Sequence, residues 1–386
     1  MTKNILFITS TRADFGKLKP LIRMVDDSPL FECSLFVTGM HTLSRYGYTV
    51  DEVYKSLGEH RLAMGFRSVY TFMNQIHGDS MERILANTIN GLSRYVQEFR
   101  PDMIVVHGDR VEALAGAIVG ALRNILVAHI EGGEISGTID EVIRHAVTKM
   151  AHIHFVSNTE SADRLKQLGE HPESIFVIGS PDIDLMLSPG LPSIQEVNNY
   201  YGIPFKQYGI VLFHPVTTDL EGTAFAAGAL VSALLSSTYD YVVIYPNNDE
   251  GCELIFSAYE QLKGNPRFMT FPSMRMEYFL TLLKNAIFII GNSSAGVRES
   301  PVYGVYSINI EGRQRNRFNY KSIIDVDGIE KSIKKAIDSI EDLPPCEPSY
   351  HFGKGDSASL FMNALENQEL WSIPKQKQFI DIDFQS

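Results

Sequence analysis

The sequence predicts an α/β protein built from two Rossmann-like, doubly wound units that face a cleft. Three observations lead there. Short, continuously apolar runs alternate with longer amphipathic stretches, the pattern of parallel strands covered by helices on both faces. The alternation breaks in a Pro/Gly-rich stretch near residue 188 and then restarts. A chain of 386 residues also exceeds one ordinary core, so two units are expected.

In chain order, "NILFITS", "ECSLFVT", "DMIVVHG", "ILVAHI", "IHFVSN" and "SIFVIG" read as buried strands of a first unit, residues 1–188. Between them, "GKLKPLIRMVDD", "SMERILANTINGLSRYVQEF" and "EALAGAIVGALR" carry the helical period. "SPGLPSIQEVNNYYGIPFKQYG", with Pro189, Pro192 and Pro204, opens the second unit, residues 189–364. There the strands are "IVLFHP", "YVVIYP", "RFMTF", "AIFIIGNSS" and "VYSINI", with helices near 221–236, 250–263, 275–284, 295–303 and 328–341. Residues from about 365 to 386, which hold the only tryptophan, Trp371, are expected to pack back on the first unit.

Composition sets the limits on function. With 44% hydrophobic and 21% charged residues the chain is folded rather than disordered. A net charge of −12 argues against a nucleic-acid partner but leaves room for a small phosphorylated ligand. Cys33, Cys252 and Cys346 are too few for a disulfide framework and suit a reducing cytosol. No leader pattern and no apolar run of about 18 residues occurs, so a cytoplasmic protein without a membrane partner is expected. No Gly-x-Gly-x-x-Gly, Walker loop or zinc-like His/Cys spacing is present, so no cofactor and no metal are expected. The Tyr-x-x-x-Lys spacing at Tyr259–Lys263 stands without a dinucleotide fingerprint and is read as chance.

In open α/β sheets ligands bind beyond the carboxyl ends of the strands. The residues that follow each strand are therefore the candidates. They are Arg12, Asp14, Gly16 and Lys17 in a first loop, then His107 to Arg110, then Glu131 in "AHIEGGEISGTIDEVIRHAV". The second unit offers His214, Asn247 to Asp249 and "GNSSAG". Structural readings compete at each place. Asp109 could cap the next helix, Gly132 and Gly133 could serve a tight turn, and Asp140 could be a first-turn acid. Convergence of Asp109, Glu131, Asp140 and His214 on one cleft would instead suit acid–base chemistry. "GNSSAGVRESPVYG" reads as a strand running into a helix whose start holds phosphate or ribose, or as an ordinary capped helix. Glu299 would meet a sugar hydroxyl pair, and Arg313 a diphosphate.

At these segments the sequence resembles the hydrolysing UDP-N-acetylglucosamine 2-epimerases of sialic acid synthesis. The matching pieces are "TSTRADFGKLKPLI", "VHGDRVEALAGA", "HIEGGEISGTIDEVIRHAVTKMAHIHF", "GSPDIDLM", "FHPVTTD", "YPNNDEG", "GNSSAGVRESPVYG" and "EGRQRNR". The resemblance implies a glycosyltransferase-B-type fold, a UDP-sugar substrate and a homodimer or homotetramer. It implies conversion of UDP-N-acetylglucosamine and water to N-acetylmannosamine and UDP, through anti elimination to 2-acetamidoglucal and then hydration. By the same resemblance Asp109, Glu131 and Asp140 match catalytic carboxylates, and His214 the second-unit histidine. Arg12 and Lys17 match residues near diphosphate and sugar, and Arg110 and Arg144 match positions of less definite role. Ser293, Ser294, Gly296 and Glu299 match the phosphate and ribose loop, and Arg313 a diphosphate-side arginine. Asp109 or Glu131 is the expected base, with Asp140 a further acid/base or orienting group. A UDP-2,4-diacetamido-bacillosamine substrate, a glycosyltransferase and an inactive nucleotide-sugar binder are the alternatives.

Overall fold

Lys3–Thr9 forms β1, its last five residues all buried, as an apolar run covered on both faces should be. The computed structural model describes residues 2–56, 68–136, 139–314, 316–378 and 380–381. Gly137 and Thr138 of the Glu131 block, Arg315, and residues 382–386 of the C-terminal segment lie outside the described residues. β1 is joined by β2 (Phe31–Val37), β3 (Val69–Thr71), β4 (Met103–His107), β5 (Leu126–Ile130), β6 (Ile153–Val156) and β7 (Ile175–Val177). The order is β3-β2-β1-β4-β5-β6-β7, every pair parallel, so the winding reverses between β1 and β4.

The second sheet contains β8 (Tyr208–Leu212), β9 (Asp240–Ile244), β10 (Phe268–Phe271), β11 (Phe288–Gly291), β12 (Tyr306–Ile310) and β13 (Ile323–Val326). Its order is β10-β9-β8-β11-β12-β13, again parallel, with the reversal between β8 and β11. Contacts group Met1–Glu134, Asp140–Leu187 and His351–Ser386 into one unit, and Ile135–Ile139 with Ser188–Tyr350 into the other.

Three local expectations need correction. β3 and β13 were not legible as strands, because each is a short sheet edge with partly exposed residues and lacks the apolar run of a central strand. Arg12, Gly16 and Lys17 lie in a helix, Arg12–Asp27, rather than a loop. Thr11 and Asp14 form a reciprocal capping box that starts the helix at once. Residues 295–303 form no α-helix but two 3₁₀ turns, Ser294–Gly296 and Ser300–Tyr303. Pro301 has no N–H to give to residue 297, and its ring would crowd that carbonyl, which disfavours an α-helix through this stretch.

The C-terminal segment packs with the first core and begins earlier than expected, since residues 351–364, read above as part of the second unit, group with the first. Phe361 of the helix Ser357–Glu366 packs 4.7 Å from Phe155 and 6.4 Å from Phe7, and Trp371 stacks on Phe31 at 6.1 Å. The indole N–H donates to the Leu365 carbonyl at 2.8 Å, which lets the ring be partly buried without leaving its donor unmet.

Candidate active site

β4 and β5 are neighbours, so the residues that follow them emerge side by side at the carboxyl edge of the first sheet, next to the β1–β4 reversal. Asp109 follows β4. The helix after it, Val111–Leu122, has Arg110 at its N-cap position and no side-chain cap, so Asp109 is not a capping residue. Its carboxylate instead accepts a hydrogen bond from Arg144 Nη2. Arg144 is 1% exposed and also donates from Nη1 to the Glu134 carbonyl at 3.2 Å, while the Asp109 side chain keeps 25% of its surface open. A buried cation thus holds a reachable carboxylate, the arrangement by which a charged side chain can be aimed outward.

Glu131 follows β5 with φ +62°, an uncommon backbone state for a residue with a side chain. The ladder to β6 holds it there, through a 2.8 Å bond from its N–H to the Phe155 carbonyl. The Ser180 hydroxyl donates to Oε1, and His107 Nε2 lies 3.1 Å from Oε2. Lys17 Nζ lies 3.9 Å from Glu131 but 3.1 Å from Asp182, which is fully buried. Lys17 is itself only 7% exposed. One buried ammonium between two carboxylates meets the rule that buried charges are paired, and makes Lys17 a holder of Glu131 in this unit.

The other first-unit candidates are spread more widely. Arg12 is clasped by Glu52 through two bonds of 2.6 and 2.5 Å. Arg110 Nε lies 3.4 Å from the buried Glu112. Asp140 sits half-buried in the first turn of the helix Ile139–Met150, which also carries Arg144. The two glycines of the block do different things. Gly133 has φ +75°, and a Cβ there would meet the Ser161 carbonyl at 2.3 Å. Gly132 lies instead against His129 and Thr148. The first strand's exit is anchored by Asp14, which accepts from the Thr9 hydroxyl (2.5 Å), the Ser10 and Thr11 N–H groups, and the Ser10 hydroxyl. His41 donates from Nε2 to Thr9 at 3.1 Å and accepts at Nδ1 from Thr49 at 2.7 Å. Burial is the main cause that lowers its pKa to about 4.

In the second unit, Asn292 after β11 is the hub. Its side chain accepts from the His214 N–H at 2.7 Å and donates to the His214 carbonyl at 2.8 Å, so it clasps the exit of β8. The Asn292 carbonyl accepts from Arg313 Nη1 (3.2 Å) and Gln314 Nε2 (3.1 Å), which ties in the loop after β12. His214 Nδ1 accepts from the Asn247 N–H at 3.1 Å, leaving Nε2 as the proton-bearing nitrogen of the neutral ring. Ser293 caps the first 3₁₀ turn, accepting from the Ala295 N–H at 3.3 Å, and Ser294 is half-buried beside it. Gly296 packs on β12: a Cβ there would sit 2.4 Å from Ser307 Oγ. Glu299 is buried between the two turns.

Ser180, Asp182 and Gln314 were not singled out from sequence, and His107 and Asn292 were named only as members of strand-end loops, without a role. All lie inside the quoted motifs, and polar residues directly after buried strands were the available signal.

Two parallel sheets, each with polar loops gathered where its strand order reverses, define a protein of glycosyltransferase-B-like fold. More narrowly, the chain belongs to the UDP-N-acetylglucosamine 2-epimerase family, whose pattern matches residues 23–366. It is 48% identical over 384 residues to the UDP-N-acetylglucosamine 2-epimerase of Neisseria meningitidis serogroup B, covering 99% of this chain and 100% of that one. It is 30% identical to the UDP-N,N'-diacetylbacillosamine 2-epimerase (hydrolyzing) of Legionella pneumophila, with 99% of both chains covered. In fold it is similar to the Methanocaldococcus jannaschii UDP-GlcNAc 2-epimerase solved with UDP-GlcNAc and UDP. The TM-score is 0.79 at 19% identity, over 94% of this chain and 99% of that one.

Proposed function

We propose that the protein converts UDP-N-acetylglucosamine and water to N-acetylmannosamine and UDP, the entry step to sialic acid. The observation that carries this reading is the pair of carboxylates, Asp109 and Glu131, at adjacent strand ends, each held by a buried cation. The end-to-end relative named for this sugar nucleotide supports it.

The C2 hydrogen of the sugar is not next to a carbonyl, so its removal must be coupled to departure of UDP from C1. A carboxylate takes the C2 proton while the C1–O bond breaks, giving 2-acetamidoglucal and UDP. Water then adds its oxygen to C1 and C2 receives a proton on the opposite face, which inverts that centre. Asp109 or Glu131 serves as base, and Asp140 as further acid/base or orienting group. Positive charge that builds on the ring is stabilised by these carboxylates. The Asn292–Ser293–Ser294 turn, Glu299 and Arg313 suit the uridine diphosphate, with His214 donating from Nε2. By the same resemblance Arg12 lies near the diphosphate and sugar, Gly296 belongs to the phosphate and ribose loop, and Arg110 has a less definite role.

An NMR time course in D₂O tests the proposal. N-acetylmannosamine carrying deuterium at C2 is the expected product, and full retention of the original hydrogen excludes the elimination route. Asp109→Asn, Glu131→Gln and Asp140→Asn should each lower kcat by roughly 10²–10³. Near-normal turnover in all three would remove the carboxylates from the chemistry.

The Legionella relative favours a second reading, the same chemistry on a UDP-diacetamido sugar. Parallel assays with the two sugar nucleotides separate them by kcat/KM. The same proposal places the enzyme in the cytosol as a homodimer or homotetramer. Among the described residues no helix is long and apolar enough to cross a membrane. Light scattering of the purified protein reports the assembly.

A further inference from the structure

His129 is a fully buried imidazole that the proposed chemistry does not use. It lies in β5, two residues before Glu131. Both ring nitrogens are engaged: Nε2 is 2.8 Å from the Gly108 carbonyl, and Nδ1 is 3.1 Å from the Thr148 hydroxyl. A carbonyl only accepts, so Nε2 carries the proton. In the neutral ring Nδ1 then accepts, and the Thr148 hydroxyl donates. Burial foremost lowers the pKa of the ring to about 3; His154, Arg144 and His107 oppose a charge as well, against the favourable Gly108 carbonyl.

What the bridge joins is informative. Gly108 directly precedes Asp109, and its φ of +69° sets the direction in which the chain leaves β4. Thr148 lies one turn beyond Arg144 on the helix Ile139–Met150, and Arg144 holds the Asp109 carboxylate. The same helix thus grips this loop twice, holding the Asp109 side chain through Arg144 and the Gly108 carbonyl through Thr148 and His129. Gly132 is shaped for this contact: a Cβ there would come within 2.9 Å of His129 Nδ1 and 3.2 Å of Thr148 Oγ1. The far end of the helix is secured by Lys377, which donates to the Thr148 carbonyl at 3.1 Å and the Ala151 carbonyl at 2.7 Å.

We propose that His129 is a positioning residue for Asp109, bracing the Gly108–Asp109 backbone against Thr148 so that Arg144 and the carboxylate meet in one geometry. The inference rests on the function proposed above, in which Asp109 is one of the carboxylates that act on the sugar. A loose mount displaces a reacting group by a fraction of an ångström to an ångström, which costs turnover more than binding.

The experiment uses the full-length enzyme with His129→Leu, His129→Gln and Thr148→Val, each alone and with Asp109→Asn. His129→Leu should lower kcat about tenfold to hundredfold, with KM changed less than about threefold. His129→Gln, whose amide can still donate toward the Gly108 carbonyl, should recover most of that loss. With Asp109→Asn already in place, His129→Leu should cost less than about twofold more, because the group it positions is gone. An equal fractional loss in both backgrounds would mean general damage and overturn the proposal, as would wild-type kcat in a folded His129→Leu. If the leucine variant does not fold, His129→Gln and Thr148→Val carry the same comparison. Imidazole ¹⁵N spectra of the resting wild-type protein provide an arm that needs no turnover. A neutral Nε2–H ring from about pH 5 to 8 is expected, and an Nδ1–H ring, or ordinary titration near pH 6.5, overturns the brace. Failure of the wild type to turn over UDP-N-acetylglucosamine would sink the proposed function instead, and these spectra would still decide the brace.

Discussion

Asp182→Asn removes one negative charge from the buried Lys17 cluster without changing side-chain size. Asp182 is fully buried and 3.1 Å from Lys17, which remains 3.9 Å from Glu131. Breaking one partner out of a buried ion pair costs about 3–5 kcal/mol, and the remaining carboxylate places the expected loss near 3 kcal/mol. For a unit in the size class of 150–250 residues that corresponds to a melting temperature lower by roughly 6–12 °C. The substitution also acts on chemistry. Released from Asp182, Lys17 moves onto Glu131. Shortening 3.9 Å to about 3 Å at an effective dielectric near 20 strengthens that attraction by about 1 kcal/mol. Glu131 becomes a weaker base, and kcat should fall on the order of fivefold to tenfold. Calorimetry and initial-rate assays read the two effects. An Asp182→Asn protein that melts within about 2 °C of wild type and keeps its kcat would refute the cluster as the mount of Glu131.

Acid should unfold the protein with uptake of protons. Burial lowers His41 to about 4 and His129 to about 3, and it lowers His152 and His154 as well. A histidine whose native pKa is depressed binds its proton more readily when unfolded, so stability is fully present above about pH 6.5 and is lost as pH falls through that window. Glu170 acts in the same direction: burial raises its pKa, but the His154 hydrogen bond and the charges of His154 and Lys377 outweigh this and leave it at about 2. Its contribution declines below about pH 4.5. Equal denaturation midpoints at pH 8 and pH 5 would contradict this. Gly133→Ala should destabilise the protein by at least about 2 kcal/mol, because φ is +75° and the new methyl meets the Ser161 carbonyl at 2.3 Å. A melting curve unchanged from wild type would exclude that packing. Asn292→Ala removes both bonds to the His214 backbone, at a cost of about 1–3 kcal/mol, and should weaken UDP binding measured by calorimetry. Unaltered UDP affinity would show that the clasp does not shape that loop.

Much of the fold was legible because its signals are local. Central strands such as β1 and β4 are buried on both faces and therefore leave an unbroken apolar run. Edge strands β3 and β13 lack that cover, and so left no such mark. The 3₁₀ turns after Ser293 were misread as a helix because periodicity weighs side chains, whereas Pro301 acts through its missing N–H.

The sequence alone was enough for the class of fold, for the family through its motifs, and for the rule that strand-end residues are the ones to watch. The partners of those residues needed the tertiary structure. Asp109 is 35 residues from Arg144 in the chain, Ser180 is 49 from Glu131, and Asn292 is 78 from His214. A strand's burial is written in its own composition. A carboxylate's environment is set by whichever cation, hydroxyl or imidazole the winding of the sheet brings beside it, and that depends on the register of strands that the local pattern does not encode.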